Sequence, residues 1–334
     1  MLSPLTTILN DKSKGQETCV KARKHARNQK NLLASLMIAY LSVSENATET
    51  SKNIRASKEP KRNSVGTGKW LDALCCCQPQ LLSVRYIMSI LEKAKNEFIR
   101  VCNERSLDLN QTVIIHPLLP RDAIGDAEGD FVIKKGKEYV IEATFENACG
   151  QAFTGTPCEW SGTLEELLSL ELSDISNRGI FVSAMNAVLR TLGVATGTIH
   201  CRDEDPTNCG PEVAGQLKSR FGSKRFGLVG LQPAILKGLT KSFAPEFVRV
   251  VDLNSDNIGS LKFGVEVWDG QTDLRRLVEW SEVGLATGSS IVNGTIDEII
   301  RCFKDDGKPL VFFGNTISGA AALLDLDRIC PFGR

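Results

Sequence analysis

Apolar positions change their spacing along the chain, and each change marks a different kind of structure. From residue 81 the spacing is helical: Leu82, Ile87, Ile90, Leu91, Ala94, Phe98 and Cys102 fall on one side of a helix running to about Asn103. Residues 112–116 predict a short strand ended by Pro117. Residues 131–133 and 139–145 flank a Lys-Lys-Gly-Lys run and predict a hairpin. A small-residue loop at 147–156 and a turn holding Trp160 follow, and Thr163 with Glu166 predicts a capping box that opens a short helix. Residues 179–192 predict a second helix that buries Ile180, Ala184, Ala187, Val188 and Leu192. Helix, three strands and two helices describe an α+β domain.

Residues 200–210 read as a polar connector, and beyond them strands and helices alternate. Strands are predicted at 226–230, 247–253, 283–286 and 310–313, with a helix from Pro233 to Ser242. Strands separated by helices imply a parallel sheet covered by helices. The most organised stretch is 285–300, where a strand runs into the polar loop Thr287-Gly288-Ser289-Ser290, turns at Asn293-Gly294 and enters a helix. Thr295 and Glu298 read as the capping box of that helix. Ligands of open α/β sheets sit beyond the carboxyl ends of the strands.

Composition changes the picture in one place. Residues 1–80 hold 13 Lys/Arg against 6 Asp/Glu, so the neutral whole divides into a basic start and a mildly acidic remainder. The start is polar and reads as a disordered extension or non-domain sequence; a transit peptide is the alternative, weakened by Asp11 and Glu17. The acidic remainder carries no basic stripe for nucleic acid. The apolar run at 32–43 is too short to cross a bilayer, and eleven cysteines without a secretory leader suggest reduced thiols in the cytoplasm. Cys75-Cys76-Cys77 is a candidate for acylation but not for metal ligation.

Candidate chemistry gathers at the strand ends. Gly230, Gln232 and Pro233 form a βα turn with no acid in the first helical turn, so the helix dipole is free to attract an anion. Close packing of strand on helix explains the glycine equally well, and the turn lacks the glycine spacing of a nicotinamide-dinucleotide fingerprint. Asp252 ends the next strand, where ribose-binding acids occur. Asp297 and Glu298 oppose an anion near Asn293, Gly294 and Thr295, so Asn293 and Ser289 suit a neutral or cationic group. Gly314-Asn315 closes the same edge. In the connector, His200, Cys201 and Cys209 are candidate ligands for a soft or borderline metal, with an acidic surface loop as the plainer account. Spacing alone flags no nucleophile elbow, Walker A loop or zincin motif.

The order of the motifs FGLVGLQP, VVDLN, LATGSSIVNGTIDEII and LVFFGN resembles the C-terminal half of the heavy-metal chelation domain family. YVIEATFENACGQAFT, the Trp160 turn and GIFVSAMNAVLRTL resemble its N-terminal partner. The resemblance covers roughly 85–334 and implies an enolase N-terminal-like domain (81–215) followed by a Rossmann-like domain (216–334), with a site in the cleft between them. It implies binding of a transition or heavy metal ion, or of a small-molecule metal chelate. An enzyme for a small anionic or nucleotide-like metabolite is the alternative, and homo-oligomers are compatible with the fold. Carried over by position, the site comprises Cys149, Gly150, Gly230, Gln232, Pro233, Asp252, Thr287, Gly288, Ser289, Asn293, Gly294, Thr295, Gly314 and Asn315. The family's Gly-Pro after the last strand is replaced here by Gly314-Asn315.

Overall fold

The computed structural model describes residues 88–126, 133 and 138–334, which fall within one compact unit. The readings of residues 1–80, of Leu82 and Ile87, and of most of the 131–137 hairpin lie outside the described residues.

The first layer is an antiparallel sheet backed by a buried helix. Helix α1 (Ile90–Glu104) is opened by a complete capping box between Ser89 and Glu92, and it buries Leu91, Ala94, Phe98 and Cys102. Strand β1 (Thr112–Leu118) and the short helix α2 (Pro120–Ile124) come next. Then follow β2 (Tyr139–Phe145), β3 (Ala148–Thr154), β4 (Trp160–Thr163) and α3 (Leu164–Leu168), the last with the expected Thr163–Glu166 box. The sheet order is β3-β2-β1-β4. Pro117 does not end β1. Strand β4 pairs only as far as Ile115, so Pro117 lies where no neighbour on that side needs its missing N–H.

Two expected loops are strand. The 147–156 stretch is mostly β3, and Trp160 begins β4. Helix α4 (Ile175–Thr191) starts four residues before the expected Gly179, at an Asp174 cap. It has no single apolar face, because every residue from Gly179 to Leu189 is buried, while Leu192 lies half-buried beyond its end. Close approach explains Gly150: a Cβ there would lie 2.2 Å from the Ala187 backbone nitrogen.

The 200–210 connector is helical from Asp205. Pro206 sits in the first turn of α5 (Asp205–Phe221), where its lost N–H costs nothing, so composition that looks like a loop is a helix start. Strand β5 (Phe226–Val229) leads to α6 (Pro233–Phe243), then β6 (Val248–Asp252), β7 (Leu261–Lys262), β8 (Val265–Asp269) and α7 (Leu274–Trp280). The rest is β9 (Val283–Thr287), α8 (Ser290–Asn293), α9 (Ile296–Asp305), β10 (Leu310–Phe313), α10 (Ser318–Leu324) and β11 (Arg328–Ile329). Thr295 does stand before α9, but its side chain makes no cap hydrogen bond, because its own backbone is already helical.

The second sheet runs β11-β10-β9-β5-β6-β8-β7, parallel throughout except for the β7–β8 pair. Counted from β5 and leaving out the antiparallel β7, this is the 3-2-1-4-5-6 order of doubly wound sheets, whose direction reverses between β5 and β9. One face packs Val250, Val267, Leu228, Leu285 and Val311 against Val213 and Leu217 of α5 and Ile235, Leu236 and Leu239 of α6. On the other, Gly227 and Gly284 pair across one rung and make room for α7 and α9: a Cβ on Gly284 would meet the Phe303 ring at 2.4 Å. The described residues thus form a mixed α/β fold with one antiparallel and one mainly parallel sheet.

Candidate functional site

The strand-order reversal opens a crevice at the carboxyl ends of β5 and β9. Gly230 follows β5 with φ +88°, and its position for a Cβ lies 2.6 Å from Thr287 Cγ2 at the end of β9. Only glycine fits that conformation and that distance. Beside them Thr287 and Ser289 join hydroxyls at 3.0 Å, and Gly314, at φ +97°, takes the chain out of β10. A cavity of about 140 Å³ occupies this edge. Gly230, Gln232, Pro233, Thr287, Ser289, Gly314 and Asn315 line it, so half of the residues expected at the site share one space.

The first sheet supplies the other wall. Glu138 at the start of β2, Phe153 of β3 and His200 line the same cavity, as do Ile124, Ile133, Cys201, Cys209, Thr316 and Cys330. Asn186 of α4 fixes this wall. Its Nδ2 donates to the carbonyls of Gln151 and Thr316, both at 3.0 Å, and its Oδ1 accepts from Gly319 N at 2.7 Å. Phe153 N adds a bond to Thr316 Oγ1 at 3.1 Å. Asn315 is buried; its Nδ2 faces the Gln151 and Thr198 carbonyls, while its Oδ1 has no hydrogen-bond partner among the described residues.

The βα turn is less suited to an anion than its sequence suggests. Asp252 Oδ2 takes the Leu231 N–H at 2.6 Å, and Gln232 Oε1 caps α6 at Ile235 N, also at 2.6 Å. Protein acceptors therefore use donors that a phosphate would need. Asp252 closes the turn instead, since its Oδ1 also accepts from Asn254 N and Asn257 Nδ2.

Other expected residues lie outside the cavity wall. Cys149 is in β3, 3.9 Å from Thr144 Oγ1, and Gly150 faces α4. Gly288 is held by Phe313 O and packs on Ile317. Gly294 ends α8 in the left-handed conformation beside Arg178, which bonds Val292 O at 2.6 Å, and Asn293 and Thr295 flank that corner.

Electrostatics separates the polar lining groups. Burial, with Asp252 nearby, raises the Glu138 carboxyl to about 6. Burial lowers the His200 imidazole, so it is neutral at pH 7. Its Nδ1 lies 2.6 Å from the Cys201 carbonyl, which can only accept; Nδ1 therefore carries the proton and Nε2 the lone pair. Burial, reinforced by Cys330 and Asp205, pushes the Cys209 thiol to about 12 and the Cys201 thiol higher still. Both are thiols at neutral pH, whereas a metal needs thiolates. Among the described residues no group of three or more His, Cys, Asp and Glu side chains is placed to hold a metal ion. His200, Cys201 and Cys209 share a cavity wall but do not fit a ready-made metal centre.

Sequence reasoning missed Glu138, Phe153 and Cys330. Glu138 adjoins a lysine run that reads as a turn, and Cys330 follows a strand of two residues, too short to leave a pattern.

Residues 215–326 match the DUF364 family model, described as "Putative heavy-metal chelation". The match covers most of the parallel-sheet half of the resemblance read from the sequence and stops before β11. No curated protein matches the chain. Two crystal structures of DUF364 proteins of unknown function are similar to it. One, from Pyrococcus horikoshii, is 17% identical, with 68% of this chain and 79% of that chain covered at a TM-score of 0.42. The other, from Desulfitobacterium hafniense, is 10% identical, with 72% and 83% covered at 0.40. No described helix is long and apolar enough to cross a membrane.

Proposed function

We propose that the crevice binds a small organic metal chelator or its metal complex, holding the metal through the chelator and not through protein ligands. The family description names heavy-metal chelation. The observation that carries the reading is the wall itself: among the described residues it offers thiols raised by burial and one neutral imidazole, and no group of three or more His, Cys, Asp and Glu side chains placed to hold an ion. Binding a bare ion there costs deprotonation of buried thiols. A complexed ion brings its own donors.

The lining supports an organic guest. Ile124, Phe153, Leu231, Pro233, Ile235 and Phe313 supply apolar surface, and a few polar groups converge on it, as in most small-molecule sites. A volume of about 140 Å³ is close to that of cavities that admit a single aromatic ring, near 150 Å³.

One observation favours catalysis as the second reading. A carboxyl near 6 and a neutral imidazole line the same cavity and could each exchange a proton with a guest near neutral pH.

A thermal-shift series with free metal ions, free chelators and their complexes tests the first reading. A complex at about a hundred times its Kd stabilises the fold by about 2.7 kcal/mol, and Thr287→Trp, which fills the crevice, abolishes the gain. Stabilisation by free metal alone counts against it.

A further inference from the structure

A second, shallow and largely open depression, of about 460 Å³, lies on the face of the parallel sheet that α7 covers. Arg249, Trp268, Arg276, Glu279 and Trp280 line it. Here cations and indoles alternate. The Arg276 guanidinium lies 3.9 Å from the Trp268 ring centre, Arg249 lies 6.0 Å from Trp268 and 4.7 Å from Trp280, and Arg225 lies 5.7 Å from Trp280. Strand register explains the arrangement: Arg249 and Val251 of β6 share one face, Trp268 pairs with Val251, and Trp280 ends α7 above them.

Charge is unevenly compensated. Arg225 approaches Glu282 at 3.5 Å and Arg276 approaches Asp273 at 3.6 Å, while Glu279 is engaged by Arg275 at 3.1 Å. Arg249, half-buried between the indoles, bonds only the carbonyls of Val248 at 2.8 Å and Pro245 at 3.3 Å, and pairs with no carboxylate among the described residues. A partly desolvated guanidinium without a counter-ion attracts an oxyanion. The Arg276 side chain is 64% exposed, so it can leave Trp268 for an incoming anion and free the indole face. A flat ring on that face gains more from stacking than an exposed cation does.

We propose that this slot is a binding site for a flat ring that carries an oxyanion, with Arg249 and Arg276 holding the charge and Trp268 the ring. A nucleoside monophosphate is the simplest such molecule. The site is separate from the crevice at the strand ends and does not depend on its function.

The full chain is titrated with adenosine monophosphate, and with adenosine and inorganic phosphate as separate arms, by calorimetry and tryptophan fluorescence. The proposal requires saturable binding of the monophosphate, at least about tenfold tighter than either part alone. Arg249→Gln abolishes it. Arg276→Gln, at an exposed position that leaves the core intact, weakens it about tenfold. Absence of saturation at millimolar concentration, equal binding of inorganic phosphate, or unchanged binding in Arg276→Gln overturns the proposal.

Discussion

Gly230 and Thr287 face each other across the point where the strand order reverses, so closely that a Cβ on the first would lie 2.6 Å from Cγ2 of the second. The contact holds the ends of β5 and β9 at a spacing that leaves a crevice beside them. Gly230→Ala must satisfy both φ +88° and this contact, and it is expected to destabilise the fold by about 2–4 kcal/mol. Urea unfolding checks the value; Thr287→Ser, which removes the offending methyl, restores part of the loss.

Asn186 of α4 joins Gln151 of the antiparallel sheet to Thr316 after β10 and to Gly319 in the first turn of α10, through three bonds of 3.0 Å or less. Asn186→Ala leaves two carbonyls and one N–H buried without this partner and costs about 3 kcal/mol or more. Asn186→Asp keeps the acceptor for Gly319 N but loses the donors, and its denaturation midpoint falls as well.

Stability depends on pH through Glu138. Its folded-state carboxyl, near 6, stands above the ordinary value of 4.5, so the folded chain holds a proton that the unfolded chain releases. This contribution is complete below pH 4.5, falls as pH rises to about 6, and is absent above. Glu138→Gln removes the dependence and stabilises the fold at neutral pH by up to about 2 kcal/mol. Comparing midpoints of the two proteins between pH 4 and 8 checks both sign and window.

Buried thiols react slowly. With the Cys209 thiol pushed to about 12 and Cys201 raised further, alkylation of either in the folded protein at pH 8 falls far behind that of an unfolded control. Mass spectrometry of timed iodoacetamide labelling reads each site. Fast labelling of both contradicts the electrostatics of the cavity wall.

Much of the parallel sheet was legible because its features are local. Apolar strands, glycines at their ends and Pro233 at a helix start each show in a few consecutive residues, and together they locate Gly230, Thr287 and Gly314. The opposite wall was not legible. Helix α4 is buried on every side and leaves no periodic face, so Asn186 reads as one polar interruption in an apolar run. Helix α5 begins among Pro206, Gly210 and Pro211, which resemble a loop. In fact Gly210 carries no side chain because a Cβ there would fall on Ala234 O of α6. Glu138 becomes unusual only through burial, a property of the assembled fold.

Crystals grown with a metal chelate, and an anomalous difference map at the metal's absorption edge, test the central claim most directly. The account predicts a single strong peak inside the space bounded by Gly230, Thr287, Gly314 and His200, with chelator atoms between the metal and every protein donor. A metal bonded directly to the sulfurs of Cys201 and Cys209, or located outside that space, contradicts it.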